Sequence, residues 1–307
     1  MTTSQLPPLH ELPPAPPGAR NVVLVTLDSL RYDTWLAAAP KNLNRLGEVE
    51  KRYSYATWTP PSHLNLLMGL FPHPIPSHIT KADYVKLEFA QHSERFQIDV
   101  TEFKHKHVPS LFFPTFLRSM GYHTRAIVSM PVLNQFTIIN RDWESYEQMK
   151  RHDDLPGMID KLKFDPDRPT FYLLNVGETH YPYTYSGHSD TTNWPRVSGL
   201  HGAVADLEPD DDKVGVFDAD PSARRRLTIR RLLTLDEMHV ARERQVEACQ
   251  YVDTAFELLY QKVPAGTYII VTADHGELFG EDGMFGHGSV IHQKVLEVPF
   301  IEGVVPC

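Results

Sequence analysis

The sequence predicts an α/β fold, with a central, mostly parallel sheet covered by helices on both faces. Three stretches carry that expectation: Asn21–Leu27 (NVVLVTL), Thr170–Val176 (TFYLLNV) and Tyr268–Val271 (YIIV). Each is a short continuous apolar run rich in β-branched residues, the pattern of a strand buried on both sides. Each also runs into polar residues capable of chemistry. Asp28 follows the first, Glu178 and His180 the second, and Asp274 and His275 the third. Open α/β sheets bind ligands just beyond the carboxyl ends of their strands.

Composition narrows the classes. A chain of 307 residues that is 41% hydrophobic and 22% charged can bury a full core. Its net charge of −9 argues against a nucleic-acid partner, whose footprint would be basic. No apolar run is long enough for a membrane span. Residues 1–20 are proline-rich without an apolar core, and predict a flexible extended arm and not a signal peptide. Cys249 and Cys307 suggest neither a disulfide framework nor a thiolate metal site, so the cytoplasm is the expected compartment.

In chain order, Asp28 lies at the lip of the first strand, where Asp28 or Ser29 could instead cap a following helix. Residues 55–69 (YATWTPPSHLNLLMG) place Pro60 and Pro61 before a helical spacing of Leu64, Leu67 and Met68. Thr59 therefore stands near a helix start, where free N–H groups favour an anion. Thr57, Thr59 and Ser62 compete there as caps. The stretch 72–109 is long and rich in histidine (His73, His78, His92, His105, His107), either a lid or a solvated loop. A helix is predicted over Leu111–Met120 and a strand within Gly121–Ser129.

Beyond the strand at Thr170–Val176, residues 185–223 are polar and include the acidic run Glu208–Asp212. The arginines 224–226, 230 and 231 read as the polar face of a helix answering those acids. Apolar positions Val246, Cys249, Val252, Phe256, Leu259 and Tyr260 repeat at three and four, giving an amphipathic helix over Asp236–Val263 that Pro264 and Gly266 end. A last strand is expected at Val298–Ile301. The segment Thr267–Gly288 (TYIIVTADHGELFGEDGMFGHG) delivers Asp274 and His275 side by side, and sets His287 between Gly286 and Gly288. A carboxylate beside an imidazole offers a hard oxygen and a borderline nitrogen to a divalent cation; a plain polar turn is the alternative.

The order strand-LDSLR-D, then TWTPPSHLNLLMG, then strand-ADHGE-F-GHG resembles the sulfatase-like branch of the alkaline phosphatase superfamily, over about residues 21–301. The resemblance implies one catalytic domain over 21–307, an alkaline-phosphatase-like fold lacking most of the family's C-terminal subdomain. It implies Asp28, Asp274 and His275 as metal ligands and Thr59 as the nucleophile, itself bound to the metal. His287 would hold the substrate oxyanion, and His180 would touch the transferred group or protonate the leaving group. His63 stands where the family's motif has an arginine, as a substrate contact.

Two departures shape the expected function. Thr59 cannot be converted to formylglycine as a sulfatase Cys or Ser is, and His63 replaces arginine. Both point to the family's threonine enzymes, which hydrolyse or transfer phosphate mono- and diesters or phosphonates. Few carboxylates and one imidazole favour manganese or zinc over calcium. Glu178, His180, His287 and His292 leave a second metal open. The expected partner is a small anionic ester, with a homo-oligomer left open. A sulfuric-ester hydrolase and an inactive binding module of the same fold are the competing readings.

Overall fold

A computed structural model describes residues 14–75, 112–188, 233–288 and 290–306, together with residues 94 and 97. Most of the arm, most of the histidine-rich stretch, the acidic run, the arginine cluster and Cys307 lie outside the described residues. A seven-stranded sheet has the order β2-β9-β6-β1-β5-β3-β4. Its strands are β1 (Val22–Leu27), β2 (Glu50–Tyr53), β3 (His123–Val128), β4 (Ser145–Gln148), β5 (Thr170–Val176), β6 (Tyr268–Ala273) and β9 (Glu297–Val304). The run β6-β1-β5-β3-β4 is parallel throughout. Only β9 is antiparallel to its neighbours β6 and β2. A two-stranded hairpin, β7 (Leu278–Phe279) with β8 (Phe285–Gly286), stands apart from the sheet.

The central strands are mostly apolar because both faces are covered, with Thr26, Thr170, Asn175 and Thr272 as buried polar exceptions. Alternate residues of β1, Val23, Val25 and Leu27, join one core, and Leu24 joins the other. Strand β5 divides in the same way, with Tyr172, Leu174 and Val176 on the first face and Phe171 and Leu173 on the second. The first face is covered by α1 (Tyr32–Ala38), α4 (Leu155–Asp160) and the 28-residue α5 (Leu235–Lys262). Helix α5 starts with a capping box, Thr234 and Glu237 each satisfying the other's backbone N–H. It presents Cys249, Val252, Phe256 and Leu259, all fully buried. Truncating Phe256 to Ala there would cost about 3–5 kcal/mol. The second face takes Leu67 of α2 (Thr59–Leu67) and Leu117 of α3 (Phe113–Ser119).

Register fixes where the site lies. Leu27 is level with Val176 of β5 and with Ala273 of β6. The next residues, Asp28, Gly177 and Asp274, therefore leave the sheet side by side at its carboxyl end. A short helix α6 (Gln293–Leu296) leads directly into β9. Among the described residues, no helix is long and apolar enough to cross a membrane.

Candidate active site

Three tight turns set the site at the lip of β1, β5 and β6. After Asp28 the chain turns through Ser29, whose φ of 62° lies in the left-handed region. That turn aims the Ser29 N–H at Asp274 Oδ1, 3.1 Å away. The first helix begins at Tyr32, with Arg31 at the cap position and no side chain capping the helix, so Asp28 and Ser29 do not cap it. Beyond β6, Gly276 donates its N–H to the Val295 carbonyl at 2.6 Å. A Cβ at Gly276 would stand 2.3 Å from the Lys294 carbonyl oxygen, so only glycine permits this approach. Gly177 serves the third turn in the same way, with the His152 carbonyl 2.4 Å from where a Cβ would be.

Asp28, Asp274 and His275 are buried and bring one ligand atom each to within 4.8 Å of the others. Asp28 Oδ2 accepts from Asn175 Nδ2 at 3.1 Å, and Oδ1 from the Ser29 hydroxyl at 3.2 Å. Asp274 Oδ1 accepts the Ser29 and His275 N–H groups, whereas its Oδ2 is buried without a hydrogen-bond partner. His275 Nε2 stands 3.4 Å from that oxygen. Its Nδ1 faces the Gly276 carbonyl at 2.9 Å; a carbonyl can only accept, so Nδ1 carries the hydrogen and Nε2 keeps its lone pair.

The electrostatics of the three groups suit a bound cation. Burial, and then the charge of Asp274, pushes the Asp28 carboxyl up to about 7. Burial pushes Asp274 up to about 7 as well. His275 is held down to about 3 by burial and by His287 beside it. Two buried carboxylates and a neutral imidazole, with one oxygen orphaned, form a pocket short of positive charge. A divalent ion fits that donor set.

Thr59 is the first residue of α2, and its Oγ1 lies 3.4 Å from Asp28 Oδ1 and 3.3 Å from His275 Nε2. Trp58 caps the helix without any side-chain bond, so neither Thr57 nor Ser62 takes that role. The anion-binding helix start expected from the sequence is cut back: Pro60 and Pro61 have no N–H, and the Ser62 N–H is bonded to the Trp58 carbonyl at 3.2 Å. The Ser54 hydroxyl ties the strand before α2 to the Asp274 carbonyl at 2.5 Å. Thr57 bonds Gly288 through both backbone and hydroxyl, which joins the loop after β8 to the start of α2.

His287 and His180 complete the lip. The His287 ring centroid is 4.3 Å from that of His275 and 5.3 Å from that of His180. His180 Nδ1 faces the Tyr181 carbonyl at 2.7 Å. Burial lowers the pKa of both rings, His287 well below its ordinary value. His63 is placed differently. It is fully buried, with Nδ1 on the Thr59 carbonyl at 2.9 Å and Nε2 on the Thr26 hydroxyl at 2.9 Å. Both ring nitrogens are thus engaged inside the protein, and Asp274 Oδ2 lies 3.6 Å from its Nδ1.

The second-metal alternative gains no cluster among the described residues. Glu178 gives its Oε1 to the Leu155 N–H at 2.7 Å and does not belong to the cluster of Asp28, Asp274 and His275. His292 caps α6 by accepting the Lys294 N–H. Residues that the sequence did not single out include Asn175, Ser54 and Glu277. Glu277 is buried and holds His287 Nδ1 at 3.0 Å. Its signal was present, since it follows Asp-His-Gly directly, but the contact depends on the β7–β8 hairpin folding back.

No protein-family model matches the sequence, and no curated protein does. Solved structures match in fold. The C-terminal periplasmic domain of EcEptC from Escherichia coli aligns with a TM-score of 0.53 at 13% identity, over 96% of this chain and 77% of that one. A protein in the alkaline phosphatase superfamily from Vibrio parahaemolyticus gives 0.50 at 17%, over 95% of this chain and 62% of that one. BT1596, a 2-O GAG sulfatase, gives 0.51 at 12%, over 93% and 64%. The chain thus spans less than two thirds of the latter two. With its sheet order, strand-end site and these neighbours, the chain has the fold of the sulfatase-like branch of the alkaline phosphatase superfamily.

Proposed function

We propose that this protein is a metal-dependent hydrolase or phosphotransferase that acts on phosphate mono- or diesters or phosphonates through Thr59. One observation carries the reading. The Thr59 hydroxyl caps nothing and lies within 3.4 Å of Asp28 and 3.3 Å of His275, beside the orphaned Asp274 oxygen. Asp28, Asp274 and His275 would hold one divalent ion, manganese or zinc by donor type, with Thr59 completing the set. Bound there, the ion would supply positive charge to the threonine oxygen and to the phosphoryl oxygens.

The chain's own groups do the rest. Thr59 Oγ1 attacks phosphorus in line, and a phosphothreonine forms as the ester oxygen departs. Buried rings such as His180 and His287 are neutral alone, but a phosphoryl anion beside them favours their protonated form. His287 then neutralises a non-bridging oxygen, and His180 gives its proton to the leaving alkoxide. Water or an acceptor alcohol releases the phospho-group. In this reading His63 orients Thr59 from behind and does not touch substrate, since both its ring nitrogens are taken. A sulfate ester is disfavoured because Thr59 cannot become formylglycine.

Paired substitutions at Thr59 test this reading. Thr59→Ala should abolish turnover of an aryl phosphodiester with the melting temperature little changed, and Thr59→Ser should keep partial activity. If Thr59 served only to start the helix, Thr59→Ala would leave turnover in place.

A further inference from the structure

Three imidazoles line the candidate site, and the atoms behind their Nδ1 nitrogens differ. His275 and His180 rest on the backbone carbonyls of Gly276 and Tyr181. His287 rests on a carboxylate, Glu277 Oε1, at 3.0 Å. Glu277 is fully buried, and its Oε2 accepts the hydroxyl of fully buried Tyr183 at 2.5 Å. The backbone at this point is also held. Arg31 Nη1 donates to the Glu277 carbonyl at 3.2 Å, and Arg31 is itself clamped by Asp33 and Glu281. A buried carboxylate is costly to keep, and packing alone would be served by an apolar residue. Its two oxygens each face one polar partner, the His287 ring and the Tyr183 hydroxyl, which gives it a directional task instead.

We infer that Glu277 is a positioning residue for His287, fixing the rotation and tautomer of the ring so that Nδ1 carries the hydrogen and Nε2 faces the site, where it takes up the second proton and donates it to a bound anion. Tyr183 in turn fixes the carboxylate. The β7–β8 hairpin makes the pairing, since Leu278 pairs with Gly286 and so brings residue 277 beside residue 287. The identity of the ligand rests on the proposed phosphoester reading; the tautomer does not.

The test uses the whole, zinc-loaded chain with 15N-labelled histidine, and reads each ring by long-range N–H correlation, with His287→Gln giving the assignment. In the wild type His287 should be the Nδ1–H tautomer. In Glu277→Gln the buried Tyr183 hydroxyl still needs an acceptor, so the amide oxygen turns to it and the NH2 faces His287. A donor facing Nδ1 forces the hydrogen to Nε2. Adding Tyr183→Phe frees the amide to turn round, and the Nδ1–H tautomer should return. Binding of inorganic phosphate, followed by calorimetry, should weaken ~10-fold or more in Glu277→Gln and recover in the double variant. A merely structural Glu277 would make the double variant worse than the single one. An unchanged tautomer in Glu277→Gln, or a double variant no better than the single, overturns the inference. If the tautomers behave as stated while no form binds phosphate, Glu277 keeps its positioning role and the phosphoester reading fails.

Discussion

Thr59 Oγ1 stands 3.3 Å from His275 Nε2, although the two residues lie 216 positions apart in the chain. The sheet makes that meeting possible: β6 delivers His275 at the lip, and Ser54 and Thr57 tie the entry to α2 against the same lip. Neither residue is free to serve another local purpose, since Thr59 caps no helix and His275 has its Nδ1 occupied.

One divalent metal should copurify with the protein or be taken up by it. Elemental analysis should give about one equivalent of manganese, zinc or iron, as a site with an imidazole ligand favours. Asp274→Asn should lower metal affinity by ~10-fold or more, whereas His287→Ala, outside the ligand set, should leave it. Stoichiometric calcium without a transition metal would count against the donor-type argument.

His180→Ala and His287→Ala should each lower phosphodiester turnover by ~10²-fold or more if these rings stabilise developing charge. Metal content should stay constant in both variants. Near-normal turnover in either one would reduce that histidine to a packing role.

Glu178 gives a pH prediction free of the metal. Burial pushes its carboxyl from 4.5 up to about 8, with Oε2 unpartnered. The folded state therefore keeps a proton that the unfolded chain has lost. The stability this contributes is complete below about pH 4.5 and disappears as pH rises through about 8. Glu178→Gln still accepts the Leu155 N–H and never ionises. Its melting temperature should gain steadily on the wild type across that window and level off above it, at unchanged metal content. Parallel curves would refute the shift, and lost metal would return Glu178 to the ligands.

Much of this architecture was legible because β1, β5 and β6 are buried on both faces, so their sequences are nearly continuous apolar runs. The edge strands were not. Ser145–Gln148 pairs with β3 alone and Glu50–Tyr53 pairs with β9 and, at Tyr53 only, bridges to His73, and their polar residues (EKRY and SYEQ) give no apolar run. Asp28, Asp274 and His275 could be placed from their positions just past strands. Asn175 could not, because within TFYLLNV it reads as one more strand residue; only the level pairing of Leu27 with Val176 brings its amide to Asp28. His63 shows the converse. Its place in the motif suggested contact with substrate, yet its position one helical turn after Thr59 points it back at the Thr59 carbonyl and the sheet. Side-chain direction on a helix start is decided by packing, which the spacing alone does not carry.

The phosphothreonine itself is the most direct thing to measure. The metal-loaded protein is mixed with a slowly turned-over aryl phosphodiester, quenched in acid on the millisecond-to-second scale, digested and read by peptide mass spectrometry. A phospho-group on Thr59, rising and decaying with turnover and missing in Thr59→Ala, is the predicted result. Phosphate on Ser62 instead, or turnover by Thr59→Ala with no phosphorylated peptide, would contradict it.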